Sequence, residues 1–137
     1  MFAIEKPLPL ANEDTQEYWE GCKQAELRLQ KCGECAHVRF PPSLLCPRCL
    51  SESFTWEKTS GRGKVYTWIV VHRPQHPAFF EDAPYNVVIV ELDDCGNVLV
   101  PSNLVDCAPD EVAVGMPVVV EWDDITDEIA IPRFRRA

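Results

Sequence analysis

Four cysteines fall within eighteen residues, as Cys32-Gly-Glu-Cys35 and Cys46-Pro-Arg-Cys49, with ten residues between the pairs. A Cys-x-x-Cys pair closes into a tight knuckle in which both sulfurs face one ion and nearby backbone N–H groups donate to the thiolates. Two such pairs supply four thiolates, the closed tetrahedral donor set of a structural metal site. The expected ligands are therefore Cys32, Cys35, Cys46 and Cys49. Zinc is the default ion. Iron is not excluded by the spacing, but a redox role would require an electron partner that the sequence does not indicate. A thioredoxin-like redox pair stands alone on a strand-to-helix turn and does not come twice. His37 is not needed as a fifth ligand and reads as a loop histidine.

Other chemistry is sparse. Cys95 sits in "DDCGN" beside Asp93 and Asp94, whose carboxylates raise a thiol pKa, the wrong direction for a nucleophile. Cys107 has Asp106 beside it and no nearby base, and Cys22 reads as helix packing. His72 and His76 flank a proline-rich loop without a partner of their own, so no catalytic constellation is expected. The runs "ELDD" and "EWDD" read as solvated strand ends. Arg62, Lys64, Arg73 and Arg133 are the candidates for meeting a phosphate, although cations in these places serve equally for solubility or surface ion pairs. Phe79 and Phe80, adjacent in "HPAFF", and Tyr18 and Trp19 are the candidate interface aromatics.

The cysteines need elements to hold them. Residues 31–55 offer few apolar side chains (Val38, Phe40, Leu44, Leu45, Leu50, Phe54), too few to fold a lobe, so bound metal is expected to supply the folding energy. Pro41, Pro42 and Pro47 stiffen the loop between the pairs. Upstream, "NEDTQEYWEGCKQ" reads as a short helix capped by Asn12 or Asp14, with Gly21 weakening its second half. "AELRLQKC" alternates, placing Leu27 and Leu29 on one face and Arg28 and Gln30 on the other. Downstream, residues 63–73 alternate Val65, Thr67, Ile69 and Val71 against Tyr66, Trp68, Val70 and His72. Residues 74–84 carry three prolines and read as a loop. Strands follow at 85–94, in "NVLVPSNLV", at 117–125 and at 128–134, with a connector that allows one helical turn at 108–116. Five strands without a long helix between them predict a mainly β fold built on a small antiparallel barrel.

The 137 residues suit one domain with a small appendage. A net charge of −9 argues against a nucleic-acid binder, which needs clustered Lys and Arg, and against an anionic membrane surface. No apolar run reaches transmembrane length and no signal pattern opens the chain, so a cytoplasmic location is expected. In that compartment Cys22, Cys95 and Cys107 read as small apolar residues, not as half-cystines.

In order along the chain, "EYWEG", "ELRLQKCGEC", "FPPSLLCPRC", "WEKTSGRGKVYTWIVVHR", "PYNVVIVELDD", "VGMPVVVEW" and "IPRF" resemble the zinc-ribbon/OB-fold proteins of the acyl-CoA-associated family. The likeness spans roughly residues 13–134. It implies an N-terminal arm with a short helix and lead-in strand (1–30), a rubredoxin-like zinc ribbon (31–55) and a five-stranded OB-fold barrel (56–137). It further implies a non-catalytic accessory subunit, partnered by a thiolase-superfamily or enoyl-CoA hydratase-like enzyme that holds the catalytic residues. Thiolase, aldolase and acyltransferase chemistry all occur in such complexes, and the barrel of the small subunit can flank the acyl-CoA. The family often has Gly after the knuckle cysteines. Here Gly33 follows Cys32 but Leu50 follows Cys49, so the second knuckle is expected to turn slightly differently. The alternatives are an autonomous acyl-CoA or lipid-binding module and, against the charge, a nucleic-acid-binding OB-fold.

Overall fold

The structure is a computed structural model and describes residues 5–137; residues 1–4 of the expected arm lie outside it. An Asx turn leads into the first helix. Asn12 Oδ1 accepts from the backbone N–H of Asp14 at 2.9 Å and of Thr15 at 3.0 Å. Helix α1, Gln16–Lys23, has Thr15 at its N-cap position, one residue past Asp14 and three past Asn12, the two expected caps. Gly21 does more than weaken the helix. A Cβ there would lie 2.8 Å from the Glu26 carbonyl oxygen and from Arg28 Cδ, so the chain can double back against α1 only at a glycine. Arg28 closes the bend, its guanidinium 2.8 Å from Glu17 and 2.7 Å from Glu26.

Two antiparallel sheets follow. The smaller has the order β2-β1-β3, from β1 (Arg28–Cys32), β2 (Val38–Arg39) and β3 (Phe54–Lys58). Here the expected alternation fails at Gln30. Leu27 and Leu29 are buried as expected, but Gln30 is buried as well. The loop after β2 folds over it, and its side chain becomes the anchor of that loop.

The larger sheet has the order β6-β5-β4-β7-β8, from β4 (Arg62–Val71), β5 (Tyr85–Leu92), β6 (Leu99–Ser102), β7 (Pro117–Asp124) and β8 (Ala130–Arg136). Strand β4 follows β5 along its length but pairs with β7 only at Arg62, Gly63 and Lys64. Gly63 allows this crossing, because a Cβ there would sit 2.4 Å from the Glu91 carbonyl oxygen. Past Val65 the register slips by a bulge: Val65 faces Val90, and Thr67 faces Ile89. The bulge corrects the alternation expected for 63–73. Val65 is buried, Trp68 packs against the core, and Ile69 is turned outward, 60% exposed.

The sheet curls until its far ends meet. Leu104 bridges Phe134 in parallel, with Val105 N donating to the Phe134 oxygen at 2.7 Å and Phe134 N to the Asn103 oxygen at 3.0 Å. The result is a mainly β fold with a curled, five-stranded OB-like sheet. Phe134, Val65, Val88, Val90, Val100 and Val118 fill its interior. Tyr18 and Cys22 of α1 and Leu27 and Leu29 at β1 belong to the same buried cluster, and Val38 and Phe40 of the ribbon pack against it.

The proline-rich 74–84 segment is more ordered than a plain loop. It holds a 3-10 turn at Pro77–Asp82, with His76 Nδ1 accepting from Ala78 N at 3.1 Å. A second short turn, Pro109–Glu111, fits the connector expected at 108–116. Among the described residues, no helix is long and apolar enough to cross a membrane.

Candidate metal centre

Cys32 ends β1 and Cys35 lies in the turn that follows it, and the loop between β2 and β3 carries Cys46 and Cys49. All four sulfurs lie within 4.8 Å of one another. Cys32 Sγ is 3.5 Å from Cys49 Sγ, and Cys35 Sγ is 3.6 Å from Cys46 Sγ. A tetrahedron of sulfurs about 2.3 Å from a central zinc has edges of about 3.8 Å, so the spacing suits a four-coordinate ion. The four cysteines are positioned for metal binding, and the donor chemistry fits a soft or borderline ion such as zinc.

The two knuckles repeat each other. Cys32 N donates to the His37 oxygen at 2.9 Å, and Cys46 N to the Ser51 oxygen at 3.0 Å. Ala36 N donates to the Cys32 oxygen at 3.1 Å, and Leu50 N to the Cys46 oxygen at 2.9 Å. Ala36 and Leu50 both take left-handed backbone, at φ of +62° and +63°. The second knuckle does not turn differently: the special backbone position in each pair follows the second cysteine.

The electrostatics also ask for a cation. The backbone N–H of Cys35 pulls the Cys32 thiol down to about 6, against the opposing effect of burial and with help from the N–H of Glu34. Burial opposes ionisation of Cys46, but the N–H groups of Cys49 and Arg48 help lower its pKa. Cys49 receives help from Ser51 N–H, yet its sulfur neighbours, Cys32 first, push it up to about 12. Cys32 and Cys46 thus ionise more readily than a free thiol, while Cys49 resists unless positive charge arrives, as metal coordination provides.

Beneath the knuckles is a base that the sequence reading missed. Gln30 Oε1 accepts from Arg39 Nε at 2.9 Å and from Ser43 N at 2.8 Å. Arg39 Nη2 donates to the Ser43 oxygen at 2.9 Å, and its guanidinium lies 5.2 Å from the Phe54 ring centroid. Nothing in hydrophobic periodicity marks a buried Gln–Arg pair. The only visible signal was two long polar side chains in a segment poor in apolar residues.

The candidate phosphate and interface residues scatter. Register places Arg62 across from Val119 and Arg135 across from the same residue, with Arg133 opposite Glu121. Arg62, Lys64 and Arg133 thus share the outer face of the sheet. Acidic neighbours accompany two of them: Lys64 is 3.7 Å from Glu91 and Arg133 is 3.4 Å from Asp123. Arg73 lies exposed beyond the end of β4 and does not join them. Arg133 and Phe79 both line one open cleft of about 380 Å³, with Lys6, Tyr85, Asn103 and Cys107. Phe80 is exposed and Trp19 half-buried. Tyr18 is a correction: at 5% exposure, with its ring 5.1 Å from Trp19 and 5.6 Å from Phe40, it packs the core and offers no docking surface.

Known proteins agree with this architecture. Residues 19–55 match the ChsH2 rubredoxin-like zinc ribbon domain, and residues 56–123 match the ChsH2 C-terminal OB-fold domain. A probable enoyl-CoA hydratase alpha subunit of Thermomonospora curvata is 43% identical over 96% of this chain, but the chain spans only 40% of that protein's length. A DUF35 domain-containing scaffold protein of Methanocaldococcus jannaschii is 41% identical over 72% of this chain and 68% of its own. Among solved structures, a chain of the Ltp2-ChsH2(DUF35) aldolase superposes with a TM-score of 0.82 at 40% identity, covering 94% of this chain and 98% of that one. With its paired knuckles, its curled five-stranded sheet and relatives at this identity, the chain belongs to the DUF35 family of zinc-ribbon/OB-fold proteins.

Proposed function

We propose that this protein is a non-catalytic accessory subunit of an acyl-CoA-processing complex, with a thiolase-superfamily enzyme as its partner and structural zinc on Cys32, Cys35, Cys46 and Cys49. One observation carries the reading: the chain of the Ltp2-ChsH2(DUF35) aldolase is matched over 98% of its length at 40% identity. The scaffold name of the archaeal relative supports it. So does the state of the other thiols. Burial pushes Cys22 up to about 12, and burial with Asp94 does the same for Cys95, so neither is a ready nucleophile. In this reading Arg133 and Phe79, together in one cleft, face the thioester where the barrel meets the enzyme.

The test is purification of the tagged, metal-loaded protein from its native cells, followed by native mass spectrometry and assay of the complex. A stoichiometric thiolase-like subunit with carbon–carbon bond activity, absent from the isolated chain, supports the reading. The hydratase-named relative favours a second partner class. A stoichiometric enoyl-CoA hydratase-like subunit and hydration of an enoyl-CoA would select it. Tight thioester binding by the lone chain, with no subunit attached, would replace both with an autonomous binding module.

A further inference from the structure

The second knuckle displays leucines to solvent. Leu44, Leu45 and Leu50 are 56%, 41% and 70% exposed, three large apolar side chains within seven residues. Leu44 and Leu45 lead into Cys46, and Leu50 leaves Cys49, so all three flank one metal knuckle. Neither the core nor the local backbone explains Leu50. It makes little use of its side chain inside the fold, and its backbone is left-handed, where a branched residue is strained and glycine is free. Its counterpart in the first knuckle is the small Ala36.

The tip is also held still. Gln30, Arg39 and Ser43 form the hydrogen-bonded base described above, and Ser43 Oγ donates to the Leu45 oxygen at 2.9 Å. A preformed apolar tip loses little freedom on docking. Residues 36–50 contain no carboxylate, in a chain of net charge −9, and Arg48 is exposed beside the leucines.

From this we infer that the knuckle tip, residues 41–50, is the plug by which the subunit docks its enzyme, seating Leu44, Leu45 and Leu50 in an apolar groove whose rim carries a carboxylate for Arg48. This rests on the subunit reading and names its surface. A second copy of this chain fits less well, since it brings net −9 against net −9 and Arg48 toward Arg48. An anionic lipid surface is disfavoured by the same net charge.

Hydrogen–deuterium exchange on the native complex, against the metal-loaded chain alone, tests it. Protection over 41–50 is the expected result. The deciding variant is Leu50→Gly, which relieves the backbone while removing the side chain. It should keep the full metal content and melt no lower than the parent, yet weaken the complex at least tenfold. Leu44→Asp should weaken it as much. If the complex forms and 41–50 exchanges unchanged, or both variants bind like the parent, the docking proposal fails and the subunit reading stands. If the native cells yield no enzyme subunit, both fail together. Protection that appears in a homodimer, or only on phosphatidylserine vesicles, overturns the proposal in favour of that occupant.

Discussion

Ala36 and Leu50 occupy equivalent places fourteen residues apart. Each amide donates to the carbonyl of the cysteine four residues earlier, at 3.1 and 2.9 Å, and each backbone is left-handed. Left-handed backbone costs an L-residue roughly 1–2 kcal/mol, partly offset in glycine by its greater unfolded freedom. Ala36→Gly and Leu50→Gly are therefore each expected to stabilise the metal-loaded protein, by about 0.5–1 kcal/mol. Denaturant unfolding at fixed metal concentration measures this, and a loss of stability in both would contradict the strain argument.

Removing the metal should unfold the ribbon first. Cys46→Ser, or a strong chelator, is expected to abolish stoichiometric binding and to strip exchange protection from residues 31–55, because that stretch has little apolar burial to replace the ion. The amides of β4 and β5, paired along their length, should hold their protection longer. Equal loss in both regions would show that the ribbon has no separate dependence on the ion.

Gln30 carries more than its sequence position suggests. Gln30→Ala leaves the buried Arg39 guanidinium without one partner and orphans the Ser43 N–H, at a cost of about 2–4 kcal/mol. The same substitution should weaken metal affinity, since the loop bearing the second pair loses its base. Equilibrium unfolding and competitive chelation read the two effects separately. A change within 0.5 kcal/mol, roughly the span of an ordinary surface substitution, would refute it.

Cys22 and Cys95 tie stability to alkaline pH. Both thiols are raised to about 12 in the folded chain, by burial first in each case. A raised folded pKa means the native state holds its proton more tightly than the unfolded one. The stabilisation is thus full below the unfolded thiol pKa of about 8.5 and drains away as pH climbs toward 12. By the pKa change each thiol is expected to cost up to about 4–5 kcal/mol across that window. Cys22→Ala and Cys95→Ala should flatten the alkaline limb of a stability–pH profile without altering it near neutrality, apart from a constant packing loss.

Arg133 tests the thioester-facing cleft. Arg133→Ala gives up an ion pair with Asp123 that is largely exposed on the acidic side and a partly buried hydrogen bond to Asn103 Oδ1, so its cost to stability should be about 1–2 kcal/mol. In the assembled complex it is expected to raise KM for the acyl-CoA several-fold and leave kcat nearly unchanged. An unchanged KM would remove Arg133 from the substrate path.

The parts legible in the sequence were those set by short-range rules. Cysteine spacing identified the sulfur cluster, and alternation with turn residues located the barrel strands. The misses each have a long-range cause. The β4 bulge depends on how β5 must pair after Gly63 crosses it, so alternation alone assigned Ile69 to the wrong face. Gln30 looked solvent-facing until the loop after β2 covered it. Tyr18, with Trp19, suggested a sticky helix face, but Phe40 of the ribbon supplies the surface that buries it. Glycine was expected directly after the knuckle cysteines, at Gly33 and in the place of Leu50; the left-handed residue follows the second cysteine of each pair, so the Leu50 position was the right one and its counterpart is Ala36, not Gly33.

The shared core has a mechanical result. Because Tyr18, Cys22, Leu27 and Leu29 pack in one cluster with the strands of the barrel, and Val38 and Phe40 lean on the same cluster, helix and ribbon share one footing on the barrel. The molecule is a bracket with that cluster at its corner. Whatever takes hold of one arm also sets the bearing of the other, and the outer face of β4 and β8 arrives already aimed.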